Sequence, residues 1–141
     1  MLADYPGDMR CKILAIPTDS IIDWASFHEV FQIVMGFPDF YGRNMNAWID
    51  CMTSVDAPEH GMSRVTVEID ELLVLSIEDA GGFQARCHEQ YDALLECLAF
   101  VNHRRAAVGE RAILALMLIG NFRKLPNSSS KNQDIMVPRK I

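Results

Sequence analysis

Three short apolar runs, separated by stretches with helical spacing, constrain the fold of this chain more than any other feature. The runs cover residues 10–16 (RCKILAI), 72–77 (LLVLSI) and 112–119 (AILALMLI). Each has the length of a strand, and the helical stretches between them require crossover connections, which predicts an α/β fold with a mainly parallel sheet. The second run is expected to be covered on both faces, and the uninterrupted third run predicts an interior strand.

The helical stretches carry both apolar stripes and end signals. Asp23 is a candidate N-cap for a first helix that Gly36 and Pro38 stop. Its stripe is spaced by three and four positions: Trp24, Phe27, Phe31 and Val34. Asn44 can cap a second helix that ends near Ser54. A long helix is predicted over residues 89–107, preceded by a short one over 83–88, and its stripe comprises Tyr91, Leu94, Leu95, Leu98 and Val101.

Two segments fall outside this alternation of strands and helices. Residues 64–69 alternate between apolar and polar side chains, which predicts an extra short strand in the insert over residues 58–70. Residues 121–141 contain two prolines, a triple serine and no apolar period. With 141 residues, half of them hydrophobic, the chain is long enough for one core and too short for two ordinary domains. We therefore expect a single domain over residues 1–120 and a flexible basic tail over 121–141.

The charge is distributed unevenly along the sequence. Residues 19–79 contain twelve acidic side chains but only Arg43 and Arg64 as basic ones, a balance of 2 − 12 = −10, whereas the formal net charge of the chain is −6. This balance excludes a strongly basic nucleic-acid binder and favours a basic partner. The alternative is a solvated acidic surface that only aids solubility. No run of 18 uncharged apolar residues occurs, and the start has no apolar stretch typical of a secretory signal, so we expect a cytoplasmic protein without membrane contact.

The sequence shows none of the usual signatures of catalysis or metal binding. It lacks the GxxxxGK[ST] and GxGxxG phosphate loops, the GxSxG elbow and the HExxH zinc motif. The cysteines have no CxxC spacing and are interpreted as reduced, packed thiols, with a reactive thiol or an incidental metal site as the alternative: Cys11, Cys51, Cys87 and Cys97. The histidines likewise lack a nearby second ligand: His28, His60, His88 and His103. We therefore predict no cofactor, no metal and no enzymatic activity.

The most informative segment covers residues 37–54 (FPDFYGRNMNAWIDCMTS), an aromatic, turn-rich loop that leads into the second helix. Helical spacing directs Met45, Trp48, Ile49 and Met52 towards the core. The same spacing leaves Asn46 and Asp50 one turn apart on another face. A carboxylate in this position can enter a cationic pocket where a phosphate would otherwise bind. The alternative is an ordinary solvated helix carboxylate.

This segment resembles the barstar family, the intracellular inhibitors of barnase-type ribonucleases. The matching pattern is Phe37-Pro38, Phe40-Tyr41-Gly42, Asn44, Ala47, Asp50-Cys51 and Thr53, with looser similarity over residues 10–120. The resemblance implies a three-stranded parallel sheet packed with about four helices, and binding rather than catalysis. The insert and the VNHRR stretch at residues 101–105 are similar to a longer barstar-like branch found in bacteria.

The resemblance also implies which residues touch a partner. In the family, the second helix and its preceding loop plug the nuclease active site with two acids one turn apart and a third acid on the last helix. Here Asp50 takes the second position, Asn46 takes the first without a charge, and Phe100 or Arg104 falls near the third. Phe40 takes the place of a loop tyrosine, and Gly42 keeps the backbone turn. The partner-binding set is therefore Asp39, Phe40, Tyr41, Gly42, Arg43, Asn44, Asn46, Asp50 and Thr53.

These observations predict a non-catalytic inhibitor or immunity-type protein. It would occlude the active site of a basic barnase-like ribonuclease or nuclease toxin, with the acidic helix as a phosphate mimic. The missing acids favour a related nuclease with a different pocket, or a different basic protein, over barnase itself. The alternative is a regulatory protein-protein interaction module that has the same fold and binds a partner other than a nuclease. The oligomeric state and the role of the basic tail stay open.

Overall fold

Three parallel strands and four α-helices make up residues 9–120, the part of the chain that the structure, a computed structural model, describes. In chain order they are β1 (Arg10–Ala15), α1 (Trp24–Met35), α2 (Met45–Thr53), β2 (Glu71–Ile77), α3 (Ala80–Arg86), α4 (His88–Ala107) and β3 (Leu114–Leu118). Short 3-10 turns occur at Thr18–Ser20 and Pro58–His60. The tail predicted over residues 121–141 lies outside the described residues.

The sheet has the order β1-β2-β3 with both neighbouring pairs parallel, which confirms the predicted α/β architecture. The central strand β2 is buried from Leu73 to Ile77, as its continuous apolar run predicts. The prediction of an interior position for the third run is wrong, because β3 lies at an edge of the sheet and its residues after Leu114 are half-buried. A three-stranded sheet has a single central strand, and β2 occupies it.

Local sequence signals account for both ends of α1. The Asp23 carboxylate accepts a hydrogen bond from the backbone N–H of Ser26 at 2.9 Å, and the Ser26 hydroxyl accepts one from the backbone N–H of Asp23 at 3.0 Å. This reciprocal capping box satisfies two free donors at the start of the helix. Gly36 ends the helix with φ of 73°, and a Cβ there would lie 2.6 Å from the Cβ of Arg64, so glycine is required both by backbone conformation and by space.

The insert does not contain the extra strand predicted over residues 58–70. Residues 64–69 have no strand hydrogen bonding, and the backbone N–H groups of Arg64 and Val65 both donate to the carbonyl of Met35 at the end of α1. The N–H of Val67 donates to the carbonyl of Val55. The alternation of apolar residues therefore reflects two valines packing on the core, while the backbone bonds to the ends of helices rather than to a strand.

The core lies between the helices and one face of the sheet. The long helix α4 contributes four of its predicted stripe residues as buried side chains: Tyr91, Leu94, Leu98 and Val101. The four cysteines are all free thiols; Cys51 and Cys87 are buried and Cys97 is half-buried, as expected for packed thiols. Cys11 is the exception, because it lies exposed on the edge strand β1.

Candidate functional site

The loop before α2 is anchored by a buried aromatic residue. Tyr41 is only 6% exposed, and its hydroxyl lies 2.6 Å from Nδ1 of the buried His28 on α1. Burial raises the pKa of the Tyr41 phenol and, together with the nearby Arg43 charge, lowers the pKa of His28. Both groups therefore stay neutral at pH 7, with the phenol able to donate to the unprotonated ring nitrogen. Tyr41 belongs to the partner-binding set implied by the resemblance, but its position makes it an anchor of the loop.

The neighbouring residue Phe40 points the opposite way and is 72% exposed. Two further hydrogen bonds hold the loop around it. The side-chain amide of Gln32 donates to the carbonyl of Pro38 at 3.1 Å, and Arg43 donates to the side-chain oxygen of Gln32 at 3.0 Å. Asp39 is also exposed beside Phe40. The loop thus presents a large aromatic ring to solvent from a backbone that is tied to α1 on both sides.

The turn into α2 differs in one detail from what the resemblance implies. The residue in the left-handed region is Arg43, with φ of 56°, and Gly42 is not among the residues with positive φ. The turn therefore does not depend on the conformational freedom of Gly42, where a Cβ would approach the side chain of Asn44 at 3.3 Å. Asn44 caps the helix as predicted, because its side-chain oxygen accepts from the backbone N–H of Ala47 at 2.8 Å.

The helix α2 separates a buried face from an exposed one. Trp48, Ile49, Cys51 and Met52 are buried, and Met45 packs against the core as a partly buried residue. Asn46 and Asp50 are both exposed, one turn apart, as their spacing predicts. The hydroxyl of Thr53 donates to the carbonyl of Ile49 at 2.6 Å, so this half-buried side chain is bonded within its own helix.

Asp50 is not a solitary carboxylate. The guanidinium of Arg104 on α4 lies 3.4 Å from its Oδ1, and the two side chains are 43% and 59% exposed for Arg104 and Asp50, respectively. Phe100, one turn before Arg104 on the same helix, is 46% exposed. In the family, the third acid lies on the last helix, and Phe100 or Arg104 falls near that position here. This correspondence was the sequence signal that α4 contributes to the site. The sequence did not show that the arginine would meet Asp50.

We call the exposed part of this site the loop–α2 surface, and it combines residues of the loop, α2 and α4: Asp39, Phe40, Arg43, Asn46, Asp50, Phe100 and Arg104. Its two carboxylates are matched by two guanidinium groups, so its formal charges balance. As the sequence indicates, α2 carries Asp50 as its single acid, and the structure adds that Arg104 lies beside it. Counting charges over residues 19–79 gives this region an acidic excess, but that count leaves out Arg104, which lies on α4.

The residue next to Arg104 has the opposite environment. Arg105 is 3% exposed, and its guanidinium donates to the carbonyl of Thr53 at 3.0 Å and to the carboxylate of Asp56 at 2.9 Å. Its Nε also donates to the carbonyl of Arg111 at 2.9 Å. Arg105 therefore joins the end of α2 to α4 and to the segment before β3. This structural role was missed by the sequence analysis, which noted Arg105 only as part of the VNHRR stretch.

A concave region separate from the loop–α2 surface lies at the carboxyl ends of β1 and β2. An open cavity of about 700 Å³ is lined by residues 15–19 together with Val34, Glu78, Asp79 and Arg86. Arg86 is already bonded to the carbonyl of Thr18 at 2.9 Å, and the three carboxylates of Asp19, Glu78 and Asp79 disfavour an anionic ligand. Within residues 9–120, no three His, Cys, Asp or Glu side chains come close enough to hold a metal ion.

The comparisons with known proteins agree with this geometry. A family model described as "Barstar (barnase inhibitor)" matches residues 11–116, which include all three strands' central parts, the loop, α2 and α4. No curated protein matches the chain. Among the helices of residues 9–120, none has the length and apolar character needed to cross a bilayer.

Proposed function

The chain belongs to the barstar family, and we propose that it is a non-catalytic inhibitor that binds a barnase-type ribonuclease and occludes its active site. The observation that carries this proposal is the exposed Phe40 on an anchored loop. A large aromatic side chain that is exposed on a fixed backbone loses little conformational freedom when it is buried by a partner. Aromatic residues of this kind dominate the binding energy of many interfaces.

The chemistry of α2 supports the same partner class. Asp50 projects from the exposed face of α2, one turn after Asn46, next to the loop that carries Phe40. A carboxylate can accept charge-assisted hydrogen bonds from the Arg, Lys or His side chains that bind the phosphates of RNA. We propose that Asp50 takes the place of such a phosphate, and that the formal net charge of −6 favours encounter with a basic enzyme.

The test is a titration of the protein against a panel of barnase-type ribonucleases, with RNA cleavage as the readout at low and physiological salt. We expect inhibition of at least one enzyme, weaker at the higher salt concentration because ions screen the encounter. Asp50→Asn and Phe40→Ala should each raise the inhibition constant by about thirtyfold, the effect of losing roughly 2 kcal/mol at a hot spot.

Matched controls are available on other parts of the molecule. Asp70→Asn removes an exposed carboxylate that also pairs with an arginine, Arg10, and Ile33→Ala removes an apolar side chain that is 70% exposed on α1. Both controls should leave inhibition within about twofold of the unmodified protein. Failure to inhibit any enzyme, or inhibition that is indifferent to Asp50 and Phe40, would contradict the proposal. A non-nuclease partner bound through the same two residues would support the regulatory module instead.

A further inference from the structure

We propose that Arg104 determines partner specificity on the loop–α2 surface, and that the partner presents a carboxylate to Arg104 beside the cationic group that receives Asp50. This inference rests on the proposed function and adds the charge pattern of the partner's cleft. It starts from the ion pair of 3.4 Å that joins α4 to the exposed face of α2.

Arg104 is available to a partner in a way that Arg105 is not. The guanidinium of Arg105 is buried and bonded to backbone carbonyls and to Asp56, whereas Arg104 is 43% exposed and reaches Asp50 at the limit of a hydrogen bond. Exposed ion pairs of this kind contribute little to stability, since both charges stay well solvated. Both members of the pair can therefore exchange water for groups of a partner without loss of the fold.

The two charges lie close enough to meet the same partner surface. A partner group that binds Asp50 on α2 comes close to Arg104, because the two side chains lie 3.4 Å apart. A uniformly cationic cleft would place like charge against Arg104 and remove its water, which disfavours binding. A cleft with a carboxylate next to its cationic group would pair with both residues at once. Arg104 thereby weakens binding to clefts that carry positive charge alone.

The side chains around the ion pair form a surface that combines charged, uncharged polar and apolar groups, and this surface is not predominantly acidic. Asn46, one turn before Asp50, adds no charge, and Phe100, one turn before Arg104, adds an apolar ring that is 46% exposed. The partner should therefore offer one cationic group, one carboxylate at the rim, and apolar surface for Phe40 and Phe100. This pattern differs from a cleft built only to attract the RNA backbone.

The experiment measures binding of Arg104→Gln and of the unmodified protein to a catalytically inactive barnase-type ribonuclease whose cleft carries basic residues only. We expect Arg104→Gln to bind at least tenfold more tightly, and the double variant Asp50→Asn, Arg104→Gln to lose that gain. The matched control is Arg10→Gln, which removes an arginine from the exposed pair with Asp70 and should change the dissociation constant less than twofold. Thermal unfolding of each variant verifies that the fold is retained.

A second part of the experiment introduces a carboxylate at the rim of the ribonuclease cleft. In a set of ribonuclease variants, each with one Lys or Arg of the cleft rim replaced by Glu, at least one should bind the unmodified protein more tightly than it binds Arg104→Gln. Equal or weaker binding of Arg104→Gln to the unaltered cleft, or no such rim variant, would overturn the role of Arg104 while leaving inhibition through Asp50 intact. If neither the unmodified protein nor Arg104→Gln binds any ribonuclease, the proposed function fails, and this inference fails with it.

Discussion

Arg104 and Arg105 are adjacent in the chain, yet the structure places them in opposite environments. Arg105 is 3% exposed and makes short hydrogen bonds with Asp56 and with the carbonyl groups of Thr53 and Arg111. Arg104 is exposed and meets Asp50 at 3.4 Å. The buried residue joins the end of α2 to α4, whereas the exposed one is the residue that we propose to contact a partner. Under that proposal, neighbouring side chains of the same type serve different purposes, Arg105 in stability and Arg104 in recognition.

The largest effect should come from removing the buried arginine. Arg105→Ala leaves Asp56 and the carbonyl of Thr53 without their donor, and we expect a loss of about 3 kcal/mol in the free energy of unfolding. That value lies at the low end of the range for broken buried pairs, because Asp56 stays 33% exposed and can recruit water. Urea unfolding measures it. The neighbouring Arg104→Ala is the control and should change stability by less than about 1 kcal/mol; equal effects would contradict the contrast.

Loss of the buried hydrogen bond between Tyr41 and His28 should have the second-largest effect on stability. Tyr41→Phe removes the hydroxyl that lies 2.6 Å from Nδ1 of His28, so a buried ring nitrogen loses its partner. We expect a loss of about 1–3 kcal/mol in the free energy of unfolding. Because the loop carrying Phe40 is then less firmly held, inhibition should weaken as well. A variant with unchanged stability would show that the loop is anchored by packing alone, and Phe37→Leu would then be the informative comparison.

Acidic pH should loosen the same anchor. Burial, aided by Arg43, lowers the pKa of His28 below its ordinary value of 6.5. The unfolded chain therefore binds more protons than the folded one as pH falls through about 6.5, and stability decreases in that direction. The His28 contribution is fully present above pH 6.5 and is lost progressively below it. The free energy of unfolding should decrease from pH 7.5 to pH 5. The decrease should be smaller in His28→Asn and unchanged in His103→Gln, because His103 is exposed.

The smallest effect on stability should come from the exposed pair. A double-mutant cycle of Asp50→Asn and Arg104→Gln should give a coupling free energy between about 0 and 1 kcal/mol, because both side chains are solvated. The same substitutions should have much larger effects on partner binding. A coupling above 2 kcal/mol in unfolding would mean that Arg104 has a structural role like that of Arg105, and the contrast between the two arginines would disappear.

Much of the fold could be predicted because its signals are local. Asp23 and Asn44 cap the helices that they precede, Gly36 ends α1, and the continuous apolar run of residues 72–77 became the central strand. Two predictions were wrong where a local pattern had more than one tertiary solution. The apolar run of β3 also suits a half-buried edge strand, and the alternation over residues 64–69 also suits an irregular segment that places two valines on the core.

The residues of the candidate site also fall into those whose position the sequence predicted and those whose position it did not. The sequence predicted that Asn46 and Asp50 lie one turn apart on the exposed face of α2, since helical spacing alone decides it. It did not predict that Tyr41 turns inward while Phe40 turns outward, because the choice depends on the position of His28 on another helix. The family match supports the kind of partner that we propose, and neither helical spacing nor composition carries that information.

Local sequence patterns established the chain order of strands and helices, the turn-rich loop before α2 and the capped helix ends at Asp23, Gly36 and Asn44, because these depend on residues a few positions apart. The short helix predicted over residues 83–88 is the exception, since α3 covers Ala80–Arg86. The location of the charge, in contrast, follows from how these elements pack. Residues 19–79 hold an excess of ten acids when counted along the chain, yet arginines from outside that segment pair with four of them, Asp50, Asp56, Asp70 and Glu71. Electrostatic interactions act through distances in space, and residues separated by 49 to 61 positions meet only after the helices and strands have packed.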